Sequence, residues 1–168
     1  INVTDTQAPH LVGEDGCSSL NMFNQNICYA QALAFNPHTL EAAIAALYTD
    51  DCSSVTAFVF DTLYGFGNDD CEWQLEYVFT IWDDCSNYVF CSVTHTGGDT
   101  EAPHAFCQDV TVFLDATGHA SVTPAQINNG SYDNCDLDPF LCLHDVNFVC
   151  NDVDIPCGVL VTLSVTDN

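Results

Sequence analysis

Residues 73–82 read Trp-Gln-Leu-Glu-Tyr-Val-Phe-Thr-Ile-Trp, and the fold is best predicted outward from this stretch. Aromatic and branched apolar side chains alternate with polar ones through most of it, which is the two-residue period of a half-buried β-strand. Paired acids follow at Asp83 and Asp84 and mark the turn that ends it. We predict a strand that packs some of these aromatic side chains into a core.

Further stretches on both sides have the same β-branched and aromatic character, separated by Asp, Asn and Gly. Two short segments favour helix instead. In residues 40–48, Thr39 can cap the first turn, and residues 123–126 form a capping box with Pro at the first helical position. The chain is therefore predicted to be all-β, with a short helix or turn in each half. The additional predicted strands are residues 55–60, 88–94, 110–114, 120–123 and 159–166.

An internal repeat divides the chain. The stretch Asp-Thr-Gln-Ala-Pro-His at residues 5–10 recurs as Asp-Thr-Glu-Ala-Pro-His at residues 99–104, an offset of 94 residues. That period is the size of one β-sandwich domain and is longer than the repeat of a solenoid. We predict two tandem β-sandwich domains with a boundary within residues 96–103, where a Gly-Gly pair precedes Pro103.

Composition excludes several classes of function. The chain of 168 residues contains 24 Asp and Glu, 11 cysteines and no Lys or Arg. Without cationic side chains it cannot neutralise phosphate groups, which excludes nucleic acids and anionic membrane surfaces as electrostatic partners. No apolar run reaches the roughly 18 residues that a membrane-spanning helix needs, so membrane insertion is not expected.

The cysteines are scattered along the chain and do not form paired CxxC metal knuckles. This pattern indicates disulfides and an oxidising compartment. We therefore predict a secreted protein that acts outside the cell or at its surface. The predicted disulfide pairs are Cys52 with Cys85, since both follow paired acids, and Cys135 with Cys150.

The acidic side chains are themselves predicted ligands for divalent cations. Asp outnumbers Glu 19 to 5, and short carboxylates in irregular turns suit the oxygen cages of Ca²⁺. The alternative is that these Asp residues close turns by accepting hydrogen bonds from their own backbone. The candidate Ca²⁺ ligands are Asp5, Asp50, Asp51, Asp83, Asp84, Asp99, Glu101, Asp133, Asp136 and Asp138, with Asp69, Asp70 and Asn134 in the same kinds of turn.

No familiar catalytic motif occurs in the sequence, which lacks a nucleophile elbow, an HExxH helix motif and a Gly-rich phosphate loop. We therefore expect that the protein is not an enzyme. A structural role is favoured, and the alternative is a carbohydrate- or protein-binding accessory module of a secreted enzyme. That alternative requires exposed aromatic side chains on one face, for which the candidates are Tyr64, Phe66, Trp73 and Trp82.

Five stretches resemble a known family. They are DTEAPHAFCQDVTVFLDATG (99–118), SVTPAQINNGSYDNC (121–135), VTLSVTDN (161–168), LEAAIAALYTDDC (40–52) and YVFTIWDDCSNYV (77–89). Together they are similar to the hyalin-repeat-like, immunoglobulin-like (Ig-like) modules strung in tandem in very long secreted surface proteins of Bacteroidetes-type bacteria. Members include gliding-motility adhesins exported by the type IX system. The family usually has Gly after the Asp-Asn/Asp-Cys triplet, where this chain has Ser53, Ser86 and Asp136.

The resemblance implies a domain organisation and a structural function. Residues 1–5 would be a strand of a preceding or neighbouring module, residues 6–97 the first Ig-like module, and residues 98–168 a second module that lacks its final strand. The implied function is a structural, non-catalytic subunit or segment of an extracellular filament or long surface adhesin, stiffened by Ca²⁺. The partner would be the protein itself, head to tail, or flanking repeats of the same chain. The polymerisation strand would consist of Ile1, Asn2, Val3 and Thr4.

The same resemblance marks one modification site. Asp61-Thr62-Leu63 matches the Asp-Ser/Thr-aliphatic pattern that the resembled bacteria O-glycosylate, so Thr62 is the predicted acceptor. The alternative is an ordinary turn threonine. The sequence does not identify the adhesion ligand.

Overall fold

The computed structural model describes residues 1–65, 67, 69–136, 138–144, 146–152 and 159–167. The chain is mostly β, with 38% strand and 16% helix, which confirms the predicted predominance of β-structure. It divides into two compact units, unit 1 (Ile1–Asp99) and unit 2 (Thr100–Asn168). Among the described residues, no helix has the length and apolar character needed to cross a bilayer.

The described residues form short and long strands, three short α-helices and several 3₁₀ turns. The helices are α1 (Tyr29–Leu33), α2 (Glu41–Ala45) and α3 (Pro124–Ile127). The strands are β1 (His10–Leu11), β2 (Met22–Gln25), β3 (Tyr48–Thr49), β4 (Val55–Tyr64), β5 (Trp73–Asp83), β6 (Tyr88–Gly97), β7 (His119–Ser121), β8 (Phe140–His144), β9 (Asn147–Val149) and β10 (Thr162–Thr166).

Unit 1 is built on a four-stranded sheet with the order β2-β6-β5-β4. Strand β5 pairs antiparallel with both β4 and β6, and β2 joins the other edge of β6 in parallel. Strands β1 and β3 form a separate antiparallel pair. The sheet confirms the strands predicted at residues 55–60, 73–82 and 88–94.

Alternation along β5 produces the core of unit 1. Its inward side chains are Trp73, Leu75, Tyr77, Phe79 and Ile81, none of which is more than 2% exposed. Burying an apolar side chain of this size contributes about 1.5–3 kcal/mol. The helical segments supply the opposite side of this core, where a fully buried isoleucine of α2 packs in the same cluster.

The helical segment around α2 begins earlier than predicted, and its α-helix is shorter. A 3₁₀ turn at Pro37–Leu40 leads directly into α2. The Asn36 side chain accepts a hydrogen bond from the His38 N–H at 3.2 Å and caps this turn. The predicted cap, Thr39, instead donates its hydroxyl to the Asn36 carbonyl at 2.8 Å. The helical segment starts earlier in the sequence because Pro37 suits the first helical position.

A disulfide in unit 1 joins Cys17 to Cys91 of β6, residues that lie 74 positions apart in the sequence. Cys17 begins a 3₁₀ turn and is only 4% exposed. The bond therefore fixes the segment ahead of β2 to the central sheet.

Neither predicted disulfide pair is formed. Cys52 and Cys85 have free thiols. Cys135 is disulfide-bonded, whereas Cys150 is free and donates its thiol to the Gly118 carbonyl at 3.8 Å. Cys135 does not pair with Cys150 because its sulfur already belongs to another disulfide.

Unit 2 contains two two-stranded antiparallel sheets, β7 with β9 and β8 with β10. Its buried core is small and consists of Val122, Ile127 and Leu163. The predicted capping box is confirmed at the start of α3, where the Thr123 N–H donates to the Gln126 side chain at 2.9 Å.

Three strand predictions in unit 2 are corrected. The strands predicted at residues 120–123 and 159–166 are shorter, as β7 and β10. Residues 110–114 form no strand within the described part of the chain, although Val112 and Leu114 are half-buried and Phe113 is 87% exposed. The segment keeps the alternation of a strand but has no described neighbour to supply hydrogen bonds, which is why the local pattern fails there.

Candidate functional sites

Most of the predicted Ca²⁺ ligands accept hydrogen bonds in turns. Oδ1 of Asp83 accepts from the backbone N–H groups of Cys85 and Asn87, both at 2.8 Å. Oδ2 of Asp133 likewise accepts from two backbone N–H groups of its own turn, at 2.8 and 3.0 Å. Such bonds favour the turn-closing interpretation of these residues.

The other acidic candidates are exposed or half-buried. Asp51 and Asp138 are exposed, and Asp99 is half-buried at the end of unit 1. Several of them accept hydrogen bonds from backbone N–H groups: Asp136 from Asp138 at 2.9 Å, Asp69 from Glu72 at 3.0 Å and Asp70 from Tyr29 at 2.7 Å. Asp84 accepts from the Ser54 hydroxyl at 3.0 Å, and Glu101 contacts the His104 ring at 3.2 Å.

Two of the predicted acids do come together in unit 1, with a cysteine that was not predicted as a ligand. One carboxylate oxygen each of Asp5 and Asp50 and Sγ of Cys52 all lie within 4.8 Å of one another. The pairing of β1 with β3 explains this proximity. Because His10 lies opposite Thr49, the segment before His10 runs beside the residues that follow Thr49.

The Asp50 carboxylate uses only one of its oxygens to close its turn. Oδ2 accepts from the backbone N–H groups of Cys52 at 2.8 Å and Ser53 at 2.9 Å. The hydrogen bond from Cys52 is the main cause that lowers the pKa of Asp50. Oδ1, by contrast, is shielded from solvent and accepts no hydrogen bond.

The Asp5 carboxylate likewise uses only one of its two oxygens in its turn. Oδ1 accepts from the Gln7 N–H at 3.0 Å, while Oδ2 is shielded from solvent and accepts no hydrogen bond. The backbone carbonyl of Asp5 accepts from the Asn87 side-chain amide at 3.5 Å. This contact holds the N-terminal segment against the turn between β5 and β6.

Two free thiols lie in the field of these carboxylates. The pKa of Cys52 is raised, chiefly by the negative charge of Asp5. The pKa of Cys85 is raised first by partial desolvation and then by Asp5. Because thiolates are the species that exchange, oxidise and bind metals, this negative environment favours the protonated form of both thiols while no cation is bound.

A second feature is an open groove in unit 2 that is lined by both polar and apolar residues and has a cavity volume of about 630 Å³. Its walls include Val110 and Val112, the core residue Ile127, Phe148 of β9 and Leu160. Leu160 is 90% exposed, so part of the apolar lining of the groove is in contact with water. Among the described strands, β10 pairs only with β8, which leaves its other edge without a strand.

A third feature is a cluster of rings on the solvent side of the unit 1 sheet, which we call the aromatic face. It comprises Phe58, Phe60, Trp82, Tyr88 and Phe90, and the two phenylalanines of β4 are 53% and 63% exposed. Ring centroids lie 5.1 Å apart for Phe60 and Phe90, 5.4 Å for Tyr88 and Phe90, and 4.6 Å for Trp82 and Tyr88.

The aromatic residues singled out in the sequence divide between core and surface. Trp73 is buried in the core, Trp82 belongs to the aromatic face, and Tyr64 is 60% exposed. Phe66 lies outside the described residues. Sequence reasoning missed Tyr88 and the phenylalanines, although alternation in residues 88–90 already indicated that two rings share one face of β6.

The remaining predicted positions lie in β4 and at the N-terminal segment. Thr62 is half-buried within β4, opposite Tyr77 in the ladder. Residues 1–4 are exposed and have no strand partner within the described part of the chain.

No protein-family model matches the chain, and comparisons with curated proteins and with solved structures found no match. What the chain does must therefore be inferred from its own residues.

Proposed function

We propose that this chain is a structural, non-catalytic subunit or segment of an extracellular filament or long surface adhesin. Its two units would be Ig-like modules of a secreted protein, and copies would join head to tail by strand donation. The observation that carries this proposal is the open, partly apolar groove of unit 2.

The groove supports strand donation because the described residues leave part of its apolar walls uncovered. Leu160, which lines the groove, is 90% exposed, and covering a side chain of this size is worth about 1.5–3 kcal/mol. Residues 110–114 have strand alternation without a described strand partner. An added strand would supply both the missing hydrogen bonds and the missing apolar contacts.

The donor would be Ile1–Thr4 of a second copy. Ile1 and Val3 are 119% and 89% exposed, and in an extended strand they would lie on the same side. The 94-residue repeat aligns them with His95 and Gly97 of β6, the strand that pairs with β5 in unit 1. In a neighbouring copy the segment would take the place beside β10 that β6 takes beside β5.

The uniform negative charge makes such a joint sensitive to salt. Every copy carries a formal charge of −24, so copies repel one another. At 0.1 M ionic strength, salt screens this repulsion between charges that lie more than about 10 Å apart. Backbone hydrogen bonds and apolar contacts would provide the attraction. We propose that Ca²⁺ promotes assembly and stiffens the filament by neutralising acidic turns.

The test compares two substitutions in the donor segment that add the same charge. Val3→Asp places a carboxylate on the side that would enter the groove, whereas Asn2→Asp places it on the opposite side. We expect the unsubstituted chain and Asn2→Asp to form larger species as concentration and salt rise, and Val3→Asp to remain monomeric, as measured by light scattering after size-exclusion chromatography.

Two results would reject strand donation: assembly of Val3→Asp equal to that of Asn2→Asp, or an unsubstituted chain that stays monomeric at high concentration and salt. Electron microscopy of the assembled sample separates ordered filaments from aggregates. A synthetic peptide of residues 1–5 should cap unit 2 and shorten the filaments.

The aromatic face supports a second candidate, the carbohydrate-binding module. Its rings meet edge to face or at a tilt, and the exposed ring surfaces of Phe58 and Phe60 could pack against the apolar faces of neutral sugars. The charge of the chain disfavours anionic glycans. A glycan array should then show binding that Phe60→Ser abolishes, while Val3→Asp leaves it unchanged.

A further inference from the structure

Two carboxylate oxygens in unit 1 are buried without any partner. Oδ2 of Asp5 and Oδ1 of Asp50 are both shielded from solvent and accept no hydrogen bond. Leaving a charged oxygen in this state is costly, because burial removes its hydration without replacing it. The chain contains no Lys or Arg, so no ammonium or guanidinium group of its own can compensate.

The turn hydrogen bonds do not explain these two oxygens. In each residue the other oxygen closes the local turn, with Gln7 for Asp5 and with Cys52 and Ser53 for Asp50. The turns would therefore form equally well if the second oxygens pointed to water. Asp5 and Asp50 also each place one carboxylate oxygen in a group with Sγ of Cys52, and the three ligand atoms of this group lie within 4.8 Å of one another.

The thiols make this cluster different from the acidic turns elsewhere in the chain. Cys52 contributes a sulfur atom to the group, and Cys85 is its electrostatic neighbour. The Asp5 backbone also hydrogen-bonds to the Cys85 thiol. Both thiols are free and exposed, which leaves an entry path for an ion from solvent.

We propose that Asp5, Asp50 and Cys52 bind a zinc ion, with the Cys85 thiol as a candidate fourth ligand. Zinc prefers four ligands in a tetrahedral arrangement and accepts thiolates together with carboxylates, with Zn–S near 2.3 Å and Zn–O near 2.0–2.2 Å. Ca²⁺ requires six to eight oxygen ligands and avoids sulfur. The mixed donor set therefore selects zinc over the Ca²⁺ expected from the acids alone.

Such an ion would cross-link three parts of unit 1 that are remote in sequence. It would tie Asp5 to the turn after β3 and to the turn that follows β5. Asp5 directly follows the donor segment, so zinc would also fix the base of that segment. The zinc proposal does not depend on strand donation, because all of its ligands belong to one copy.

The experiment uses the full chain bearing Val3→Asp, so that assembly does not affect the measurement. Reduced protein is titrated with Co²⁺ and then with Zn²⁺, and the thiolate-to-Co²⁺ charge-transfer absorption reports sulfur ligation. We expect one equivalent of Co²⁺ to produce this band and Zn²⁺ to displace it. Ca²⁺ in millimolar excess should leave the band unchanged.

Matched substitutions locate the site. Cys52→Ser should abolish the band. Changes at groups that merely hold metal ligands already weaken binding about 10-fold or more, so Asp50→Asn and Asp5→Asn should each lower the Zn²⁺ affinity by more than about 10-fold. Asp50→Asn keeps an oxygen for the turn, and near-ultraviolet circular dichroism checks that each variant is folded. The controls are Asp51→Asn and Cys107→Ser, an exposed acid and an exposed thiol outside the group, and both should bind as the parent does.

Several outcomes would overturn the proposal. They are an absent charge-transfer band, a band that Cys52→Ser retains, displacement of Co²⁺ by Ca²⁺, or equal losses in the Asp50→Asn and Asp51→Asn variants. Mass spectrometry of the untreated protein gives a further check, since a Cys52–Cys85 disulfide in the isolated chain would leave no thiolate for zinc. Loss of filaments in the Val3→Asp comparison has no bearing on these results, so the two proposals fail separately.

Discussion

Trp73 lies directly opposite Gly97 in the ladder between β5 and β6, and its indole ring occupies the space where a side chain at position 97 would stand. A Cβ at Gly97 would overlap Cζ2 of Trp73 and the carbonyl oxygen of Gln25 in β2. The indole N–H meanwhile donates to the Ile27 carbonyl at 2.9 Å. Because Gly97 has no side chain, the Trp73 ring and the edge strand β2 can both pack closely against its Cα, from two different sides.

Gly97→Ala should therefore destabilise unit 1. The added methyl group meets a backbone oxygen on one side, which cannot move away by changing rotamer, and a buried ring on the other. Overpacking of this kind costs about 1–3 kcal/mol. Urea unfolding followed by circular dichroism should show a lower midpoint with an unchanged slope.

The matched control is Gly13→Ala, because a Cβ at Gly13 would meet nothing within 4 Å. Its unfolding midpoint should lie close to that of the parent chain. An unfolding midpoint for Gly97→Ala that equals the Gly13→Ala value would show that β2 and Trp73 do not close over position 97.

The two tryptophans offer a second comparison of inner and outer sheet faces. Trp73→Phe removes the donor to Ile27 and part of a side chain that is only 2% exposed. Together the orphaned carbonyl and the lost volume should cost about 2–4 kcal/mol. Trp82→Phe on the aromatic face should cost less than about 1 kcal/mol. Equal losses of unfolding free energy would contradict the placement of Trp82 on the solvent side.

Local sequence patterns predicted the elements whose causes are local. The alternation of residues 73–82 predicted β5 because a strand with one buried face selects side chains two residues apart. The capping box at Thr123 predicted the start of α3 because its hydrogen bonds span only three residues. Residues 110–114 show the limit of this reasoning, since alternation makes a strand possible but only a neighbouring strand supplies its hydrogen bonds.

Features that depend on long-range proximity were not predictable in the same way. The Cys17–Cys91 disulfide joins a 3₁₀ turn to β6, and neither cysteine has a neighbouring residue that marks its partner. Asp5 and Asp50 were predicted as cation ligands, but the β1–β3 pairing that brings them to Cys52 involves only two residues in each strand. So short a pair leaves no periodic signal in the sequence.

Removing the Cys17–Cys91 disulfide should strongly destabilise unit 1. The closed loop is long, with a sequence separation of 74, and the chain-entropy relation gives about 4 kcal/mol for a loop of this length. The double substitution Cys17→Ala/Cys91→Ala should lower the free energy of unfolding by that order. Differential scanning calorimetry and urea unfolding measure the change.

The control for this prediction is Cys142→Ala, which removes a half-buried free thiol in unit 2. It should change the unfolding free energy much less than the double substitution does. A double variant as stable as Cys142→Ala would mean that the bond does not restrict the unfolded chain, for example because residual structure already holds its ends together.

His95 makes the stability of unit 1 depend on pH. The side chain is 3% exposed, lies between the rings of Phe35 and Tyr77 at 4.9 and 5.1 Å, and has no hydrogen-bond partner at Nε2. Burial lowers the pKa of His95, and a hydrogen bond with the Leu20 backbone opposes this shift only in part. The imidazole therefore stays neutral in the folded chain at pH values where it is protonated in the unfolded chain.

The parent chain should accordingly lose stability as pH falls below about 6.5, the ordinary pKa of histidine. Below that pH, His95 is protonated in the unfolded state and remains neutral in the folded state. The free energy of unfolding therefore decreases by up to about 1.4 kcal/mol per pH unit until the pH reaches the lowered pKa of folded His95. Carboxylates with lowered pKa, such as Glu41, lose their contribution to stability only below about pH 4.5.

Urea unfolding between pH 7.5 and pH 5 should therefore show an unfolding free energy that decreases as the pH falls. His95→Gln should remove this pH dependence, and His10→Gln, at an exposed position, should retain it. Parallel pH profiles for the parent and His95→Gln would place the acid sensitivity elsewhere.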